Sequence, residues 1–135
     1  MKVAYLMDTD WVIDYLNDKE PVASKVEELK EEGIAVSIIS LAELYEGVYY
    51  SRNPKASEKK LLGFLSGVII LGIEEEICKV FGKERGKLRK KGLLVGDFDL
   101  LIASTCLYYN IPLCTNNRRH YERIEGLQII STDNS

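Results

Sequence analysis

What the chain lacks narrows its function before any motif is read. It has no excess of positive charge: 18 lysines and arginines stand against 21 aspartates and glutamates, a formal net charge of -3. That balance excludes the global basicity of a typical nucleic-acid binder, although a local basic patch can still hold phosphates beside an acidic pocket. There is no cysteine framework, because Cys78, Cys106 and Cys114 are odd in number, widely separated and form no Cys-x-x-Cys pair. Disulfide scaffolds and zinc clusters are disfavoured, and the three are expected to be buried, reduced thiols. No apolar run is long and uninterrupted enough to span a bilayer, so no membrane association is expected. The N-terminus lacks the basic, apolar and small-residue order of a signal peptide, and a cytoplasmic location is expected. A single histidine, His120, is available for base catalysis or metal ligation. No internal repeat or low-complexity segment is present.

What is there suits one domain spanning residues 1–135, with 46% apolar residues to build an ordinary core. Val3–Met7 is an almost unbroken apolar run that ends abruptly at Asp8-Thr9-Asp10, after which Trp11, Val12, Tyr15 and Leu16 recur at helical spacing. This is the pattern of a buried strand delivering acidic groups to its own C-terminal edge, with a helix starting just after. A helix is expected from about Pro21 to Glu32, stopped by Gly33, then a strand over Ile34–Ile39 and a helix capped by Ser40. Residues 51–57 read as a loop, Glu58–Ser66 as a short helix, Val68–Leu71 as a strand and Glu74 to about Lys91 as a long amphipathic helix. An apolar helix over Asp97–Leu107 with Asp97 as its N-cap, a strand at Leu113–Thr115 and a last strand at Leu127–Ile130 complete the order. Alternating strands and helices, with strands apolar on both sides, predict an α/β fold: a three-layer α/β/α sandwich around a central, mainly parallel sheet.

In that architecture the polar residues gather on one edge. Asp8, Thr9 and Asp10 follow the first strand, Thr115, Asn116 and Asn117 follow the fourth, and Glu43, Asp97 and Asp99 sit at helix starts facing the same side. Glu43 has two readings, a carboxylate reaching back to cap the Ser40 amide or one pointing into the pocket of Asp8. Asp97 and Asp99 are too close in sequence to share a helix face, so one should cap while the other enters the pocket. Crowded carboxylates repel, and a hard divalent cation is the usual resolution. Oxygen ligands without a histidine or cysteine cluster favour Mg²⁺ or Mn²⁺, and such a site suits phosphoryl chemistry. The helix from Glu74 carries Lys79, Lys83, Arg85, Lys87, Arg89, Lys90 and Lys91 on one side, which is either a solvated face or the place of phosphate contact.

Four segments together resemble one known family. They are Leu6–Leu16 around Asp8, Ser40-Leu41-Ala42-Glu43-Leu44-Tyr45-Glu46-Gly47-Val48, Gly96–Ala103 around Asp99, and Thr115-Asn116-Asn117 through Gly126-Leu127. In this order and spacing, and covering the chain from end to end, they resemble the PIN-domain ribonucleases, and within them the VapC toxins of bacterial and archaeal toxin–antitoxin pairs. The resemblance implies that Asp8, Glu43 and Asp99 are acidic metal ligands for Mg²⁺ or Mn²⁺, and that the fourth polar position falls at Asn117, with Asn116 as its neighbour and stand-in. Many relatives carry Asp at that fourth position; an amide here lowers the negative charge of the pocket. Thr9, Asp10, Asp97, Thr115 and Asn116 fall where groups orient the ligands, and Lys87, Arg89 and Lys90 are the candidates for RNA contact. The implied reaction is hydrolysis of an RNA phosphodiester by in-line attack of an activated water. His120 admits a general-base reading, but the stronger one is that it orients a neighbouring loop or packs beside Tyr121.

The resemblance also implies partners: an RNA substrate, a small antitoxin protein that covers the acidic pocket, and a second copy in a homodimer. Trp11, Tyr15, Tyr45, Tyr49 and Tyr50 are aromatic material for such an interface or, equally, for the core. Inside the same fold, a housekeeping nuclease of RNA processing and an inactive binding module stand as alternatives. Joint retention of Asp8, Glu43 and Asp99 argues against the inactive module, because unused buried carboxylates destabilise a fold. A haloacid-dehalogenase-like phosphatase would use Asp8-Thr9-Asp10-Trp11-Val12, but its late second aspartate is missing, since Leu101 stands there.

Overall fold

The computed structural model describes residues 2–132; Met1 and the last three residues of the expected domain lie outside the described residues. Five short strands, β1 (Tyr5–Met7), β2 (Ile34–Ser37), β3 (Ile69–Leu71), β4 (Leu113–Cys114) and β5 (Ile129–Ile130), pair in parallel in the order β3-β2-β1-β4-β5. The chain steps outward from β1 to β3, then returns to β4 on the other side of β1. The sheet therefore has its topological switch point between β1 and β4, where open parallel sheets place their ligand crevices.

Parallel strands need crossover segments, and helices supply them on both faces. One layer holds α1 (Thr9–Leu16), α2 (Val22–Leu29), α3 (Ile38–Tyr49) and α4 (Pro54–Leu65); the other holds α5 (Glu75–Lys90), α6 (Asp97–Tyr109) and the short α7 (Arg118–Tyr121). Successive strand residues alternate between these layers. Met7, Val36 and Cys114 join an apolar cluster with Trp11, Val26, Leu44 and Phe64, whereas Leu6, Ala35 and Leu113 join a second cluster with Leu88, Leu100, Ile102 and Tyr121. Both sides of the strands are buried, and the sequence expectation of a three-layer α/β/α sandwich holds. Among the described residues no helix is long and apolar enough to cross a membrane.

Gly33 is required at the entry to β2. Its φ of +103° is left-handed, and an added Cβ would stand 2.0 Å from the Lys2 carbonyl oxygen, while its own carbonyl accepts from the amides of Ala4 and Tyr5. Any side chain here breaks the start of the β1–β2 ladder.

Several boundaries differ from the sequence expectation. β2 ends at Ser37, whose hydroxyl accepts from the Ile39 amide, so the cap is Ser37, three residues before the expected Ser40, and α3 begins at Ile38. Ile38 and Ile39 are β-branched and read as strand, but the capping side chain decides the turn. Ser40 is instead a buried residue of α3, and its hydroxyl has no hydrogen-bond partner among the described residues. Glu43 consequently lies in the second turn of α3, too far along for a capping box. α4 starts earlier than expected, at Pro54, because Asn53 Oδ1 accepts from the Ala56 amide and proline suits the first helical position. Gly96, not Asp97, precedes α6, and no side chain caps it. Cys106 and Cys114 are buried, but Cys78 is exposed, contrary to expectation, and all three are free thiols.

Candidate active site

Asp8 follows β1 immediately and is held at the switch point by its main chain, whose amide donates to the Cys114 carbonyl across the sheet at 2.9 Å. Its side chain is the N-cap of α1: Oδ1 accepts from the Thr9 amide at 2.9 Å, and Oδ2 accepts from the Thr115 hydroxyl at 2.8 Å. The residue is only 4% exposed. Burial, and then the neighbouring Asp10 carboxylate, pushes its carboxyl up from 3.8 to about 6. Among the described residues no lysine or arginine forms an ion pair with Asp8, Asp10 or Glu43. The positive end of α1 offsets part of that charge and leaves the rest.

Asp10 sits in the first turn of α1, where Oδ1 accepts from the Trp11 amide at 2.8 Å and Oδ2 from the Asn116 amide at 3.0 Å. Burial raises its pKa as well. The Thr115 hydroxyl has one proton, 2.8 Å from Asp8 and 3.4 Å from Asp10, so Asp8 is its acceptor, and its oxygen in turn accepts from the Asn117 amide at 3.0 Å. Asp10 thus ties α1 to the loop after β4 and positions Asp8 through Thr115. Thr9 faces the other way, donating from Oγ1 to Glu43 Oε1 at 2.8 Å and so joining α3 to the site. Thr9 and Thr115 thus each set a hydroxyl against a carboxylate, of Glu43 and Asp8 respectively.

Asp99, in the first turn of α6, is gripped on both oxygens by consecutive residues of α7. The Tyr121 hydroxyl donates to Oδ1 at 3.2 Å, and His120 Nδ1 lies 3.0 Å from Oδ2. Burial, and then the negative charges of Asp8 and Asp99, push the Tyr121 phenol far above the usual range. Thr9 joins two of the acids, its amide donating to Asp8 and its hydroxyl to Glu43, while Tyr121 and His120 hold Asp99. Among the described residues no three carboxylate, histidine or cysteine groups close into a ready-made metal cage. Mg²⁺, however, keeps several waters and is commonly held by one or two carboxylates. A buried carboxylate with a raised pKa and no cationic partner fits that demand.

Other expected residues fall outside the pocket or take different roles. Asp97 is largely exposed and pairs with Arg85 Nη2 at 2.5 Å, so it neither caps α6 nor orients a ligand. The Asn116 side chain is committed to structure, since its Oδ1 accepts from Trp11 Nε1 at 3.0 Å and from the Thr132 amide at 3.0 Å, which removes it as a stand-in for Asn117. Its main-chain amide is what serves the site, on Asp10. Asn117 precedes α7 and is exposed, and its main-chain amide donates to the Thr115 hydroxyl that holds Asp8. Trp11 is fully buried and belongs to the core, whereas Tyr49 and Tyr50 are exposed. Of the α5 basic residues, Lys79 pairs with Glu76, Arg85 with Asp97, Lys87 with Glu84 and Lys91 with Glu125. Among the described residues Lys83, Arg89 and Lys90 have no acidic partner. Glu74 at the start of α5 meets Tyr109 at the end of α6, and Arg85 meets Asp97 at the start of α6. The two helices are therefore antiparallel, and the basic end of α5 lies on the side of Asp99.

Tyr121 is the functional residue that sequence reasoning missed. Nothing in its local pattern distinguishes a phenol serving a carboxylate from an aromatic in the core, and the four-residue α7 that aims it was not anticipated.

Comparison with known proteins agrees with this geometry. The family model "PIN domain" matches residues 5–127. Ribonuclease VapC2 of Rickettsia felis is 36% identical over 132 residues, covering 96% of this chain and 98% of that protein. Ribonuclease VapC1 of Methanocaldococcus jannaschii is 37% identical over 126 residues, covering 92% of this chain and 85% of that one. The crystal structure of VapBC2 from Rickettsia felis bound to a DNA fragment from their promoter contains a chain that superposes with a TM-score of 0.89 at 33% identity, covering 97% of this chain and 100% of that one. The chain belongs to the PIN-domain family and, within it, groups with the VapC ribonucleases.

Proposed function

We propose that this chain is an endoribonuclease that hydrolyses RNA phosphodiester bonds with the help of Mg²⁺ or Mn²⁺, and that it is the toxin of a toxin–antitoxin pair. One observation carries the reading: a buried Asp8 carboxylate at the sheet's switch point, with no cationic partner among the described residues, joined through Thr9 to Glu43 and near enough to Asp99 for their charges to act on each other. A bound divalent cation would supply a nucleophilic water at neutral pH and neutralise charge on the phosphate under attack. Asp8 and Asp99 are the residues to hold it, with Glu43 reaching it directly or through water. Thr9, Asp10 and Thr115 keep these carboxylates from rotating. Asn117, exposed beside the pocket, offers an amide to the substrate or to the cation's waters. His120 contacts Asp99, which supports an orienting role over that of a general base. Arg89 and Lys90, at the end of α5, are placed to hold flanking phosphates; Lys87, paired with Glu84, is less available.

The names of the VapC relatives support ribonuclease action, and the solved VapBC complexes support a protein partner of the antitoxin kind. We take residues 1–135 as one domain, acting in the cytoplasm and pairing as a homodimer. The test is RNA cleavage by the purified chain with Mg²⁺ or Mn²⁺ and with EDTA. Cleavage is expected only with the metal, and Asp8→Asn and Asp99→Asn should each abolish it while the protein stays folded. Full activity in EDTA, or in either variant, would remove the assignment.

A further inference from the structure

The Tyr121 phenol is a buried polar group for which the proposed chemistry has no use. The residue is 0% exposed and belongs to the apolar cluster that also contains Leu100, Ile102 and Ile124. A phenylalanine would fill that space without desolvating a hydroxyl, so the hydroxyl must be accounted for by what it touches. It touches Asp99 Oδ1 on α6 at 3.2 Å, with the Asp8 carboxylate near enough for its charge to act on the phenol. From the adjacent residue, His120 Nδ1 meets the other oxygen of Asp99 at 3.0 Å. Both oxygens of Asp99 are therefore restrained from α7.

We infer that Tyr121 is a positioning residue that sets the orientation of Asp99 beside Asp8 for a divalent cation, an inference that rests on the metal reading above. Two carboxylates with no cation between them repel and would rotate apart. The phenolic proton donated to Asp99 offsets part of that repulsion in the metal-free protein. The oxygen it contacts keeps a free lone pair, so the carboxylate remains available to a cation. Because Tyr121 is buried and its ring is fixed by packing, the hydroxyl cannot follow a carboxylate that moves. Asp99 is held in one orientation.

The test is Mn²⁺ binding by titration calorimetry on the full chain, run beside cleavage kinetics. Tyr121→Phe keeps the ring and removes the hydroxyl; it is expected to melt cooperatively and to bind Mn²⁺ about tenfold to a hundredfold more weakly, the usual loss when a group orienting a ligand is removed. The apparent KM for RNA should stay unchanged, and the lowered kcat should recover when Mn²⁺ is raised. Tyr5→Phe is the control, since it deletes another phenol–carboxylate bond, to Glu32 at 2.9 Å, far from the site, and should leave Mn²⁺ affinity as it was. Wild-type affinity in Tyr121→Phe alongside weakened binding in Asp99→Asn would overturn the inference alone. Equal losses in Tyr121→Phe and Tyr5→Phe would also overturn it, by showing a general loosening of the fold. Unaltered Mn²⁺ binding in Asp99→Asn would instead sink the metal reading, and the inference with it.

Discussion

At the scale of single residues, Asp8 carries a cost that its function must justify. Its carboxyl is pushed up from 3.8 to about 6, chiefly by burial and then by Asp10. A carboxyl with a raised folded-state pKa binds its proton more tightly in the folded protein than in the unfolded chain. Its effect is absent below the unfolded value, where both states are protonated. Stability then falls as pH rises through the window from 3.8 to about 6 and stays lower above it. The size of the loss is roughly 2–3 kcal/mol, the free energy of a shift of about two pK units. In EDTA at neutral pH, Asp8→Asn should therefore melt higher than the wild type, with the two curves converging near the bottom of that window. Thermal melts across pH decide it: a variant less stable than wild type at neutral pH would mean that the Thr9 and Thr115 hydrogen bonds to the carboxylate outweigh its desolvation. Glu43 illustrates the limit of reading residues by sequence distance. Its capping role depended on Ser40 opening the helix, and once Ser37 takes the cap, Thr9 becomes its partner.

At the scale of elements, what matters is which ends meet. α5 and α6 run antiparallel, so the cationic end of one lies beside the acidic start of the other. Four of the basic side chains are already matched by Glu76, Asp97, Glu84 and Glu125, and such exposed pairs contribute little to stability. Their consequence is to narrow the free positive charge near this end to Lys83, Arg89 and Lys90. Replacing Arg89 and Lys90 with glutamine should weaken binding of single-stranded RNA and flatten the slope of log affinity against log salt by roughly 1.4 units, as expected for two lost phosphate contacts on a single strand. Lys87→Gln should have a smaller effect. Filter-binding titrations at several salt concentrations measure both, and an unchanged slope in the double variant would return the α5 face to ordinary solvated charge.

At the scale of the whole molecule, the site is a seam. Asp8 belongs to the central strand, Glu43 to one helical layer, and Asp99 with Tyr121 to the other. A cation held there cross-links the layers and binds only the folded state. Mn²⁺ at about a hundred times its dissociation constant should stabilise the protein by roughly 2.7 kcal/mol. The melting temperature of the wild type should accordingly rise with Mn²⁺, and those of Asp8→Asn and Asp99→Asn should not. An equal rise in all three would place the ion elsewhere on the surface.

The sequence by itself determined the layered α/β architecture, because alternation of short, doubly apolar strands with amphipathic helices leaves few other ways to bury both faces of a sheet. It also marked Asp8, Glu43 and Asp99, since carboxylates at strand ends and in the first turns of helices share one edge of such a sheet. Tertiary structure alone decided the connections among them. That Asp97 leaves for Arg85, that Asn116 is spent on Trp11 and Thr132, and that Tyr121 holds Asp99 all depend on partners distant in the chain. Local pattern is set by periodicity, which a sequence displays; hydrogen-bond partners across the fold are set by where β1, β4, α6 and α7 come to rest against one another, which it does not.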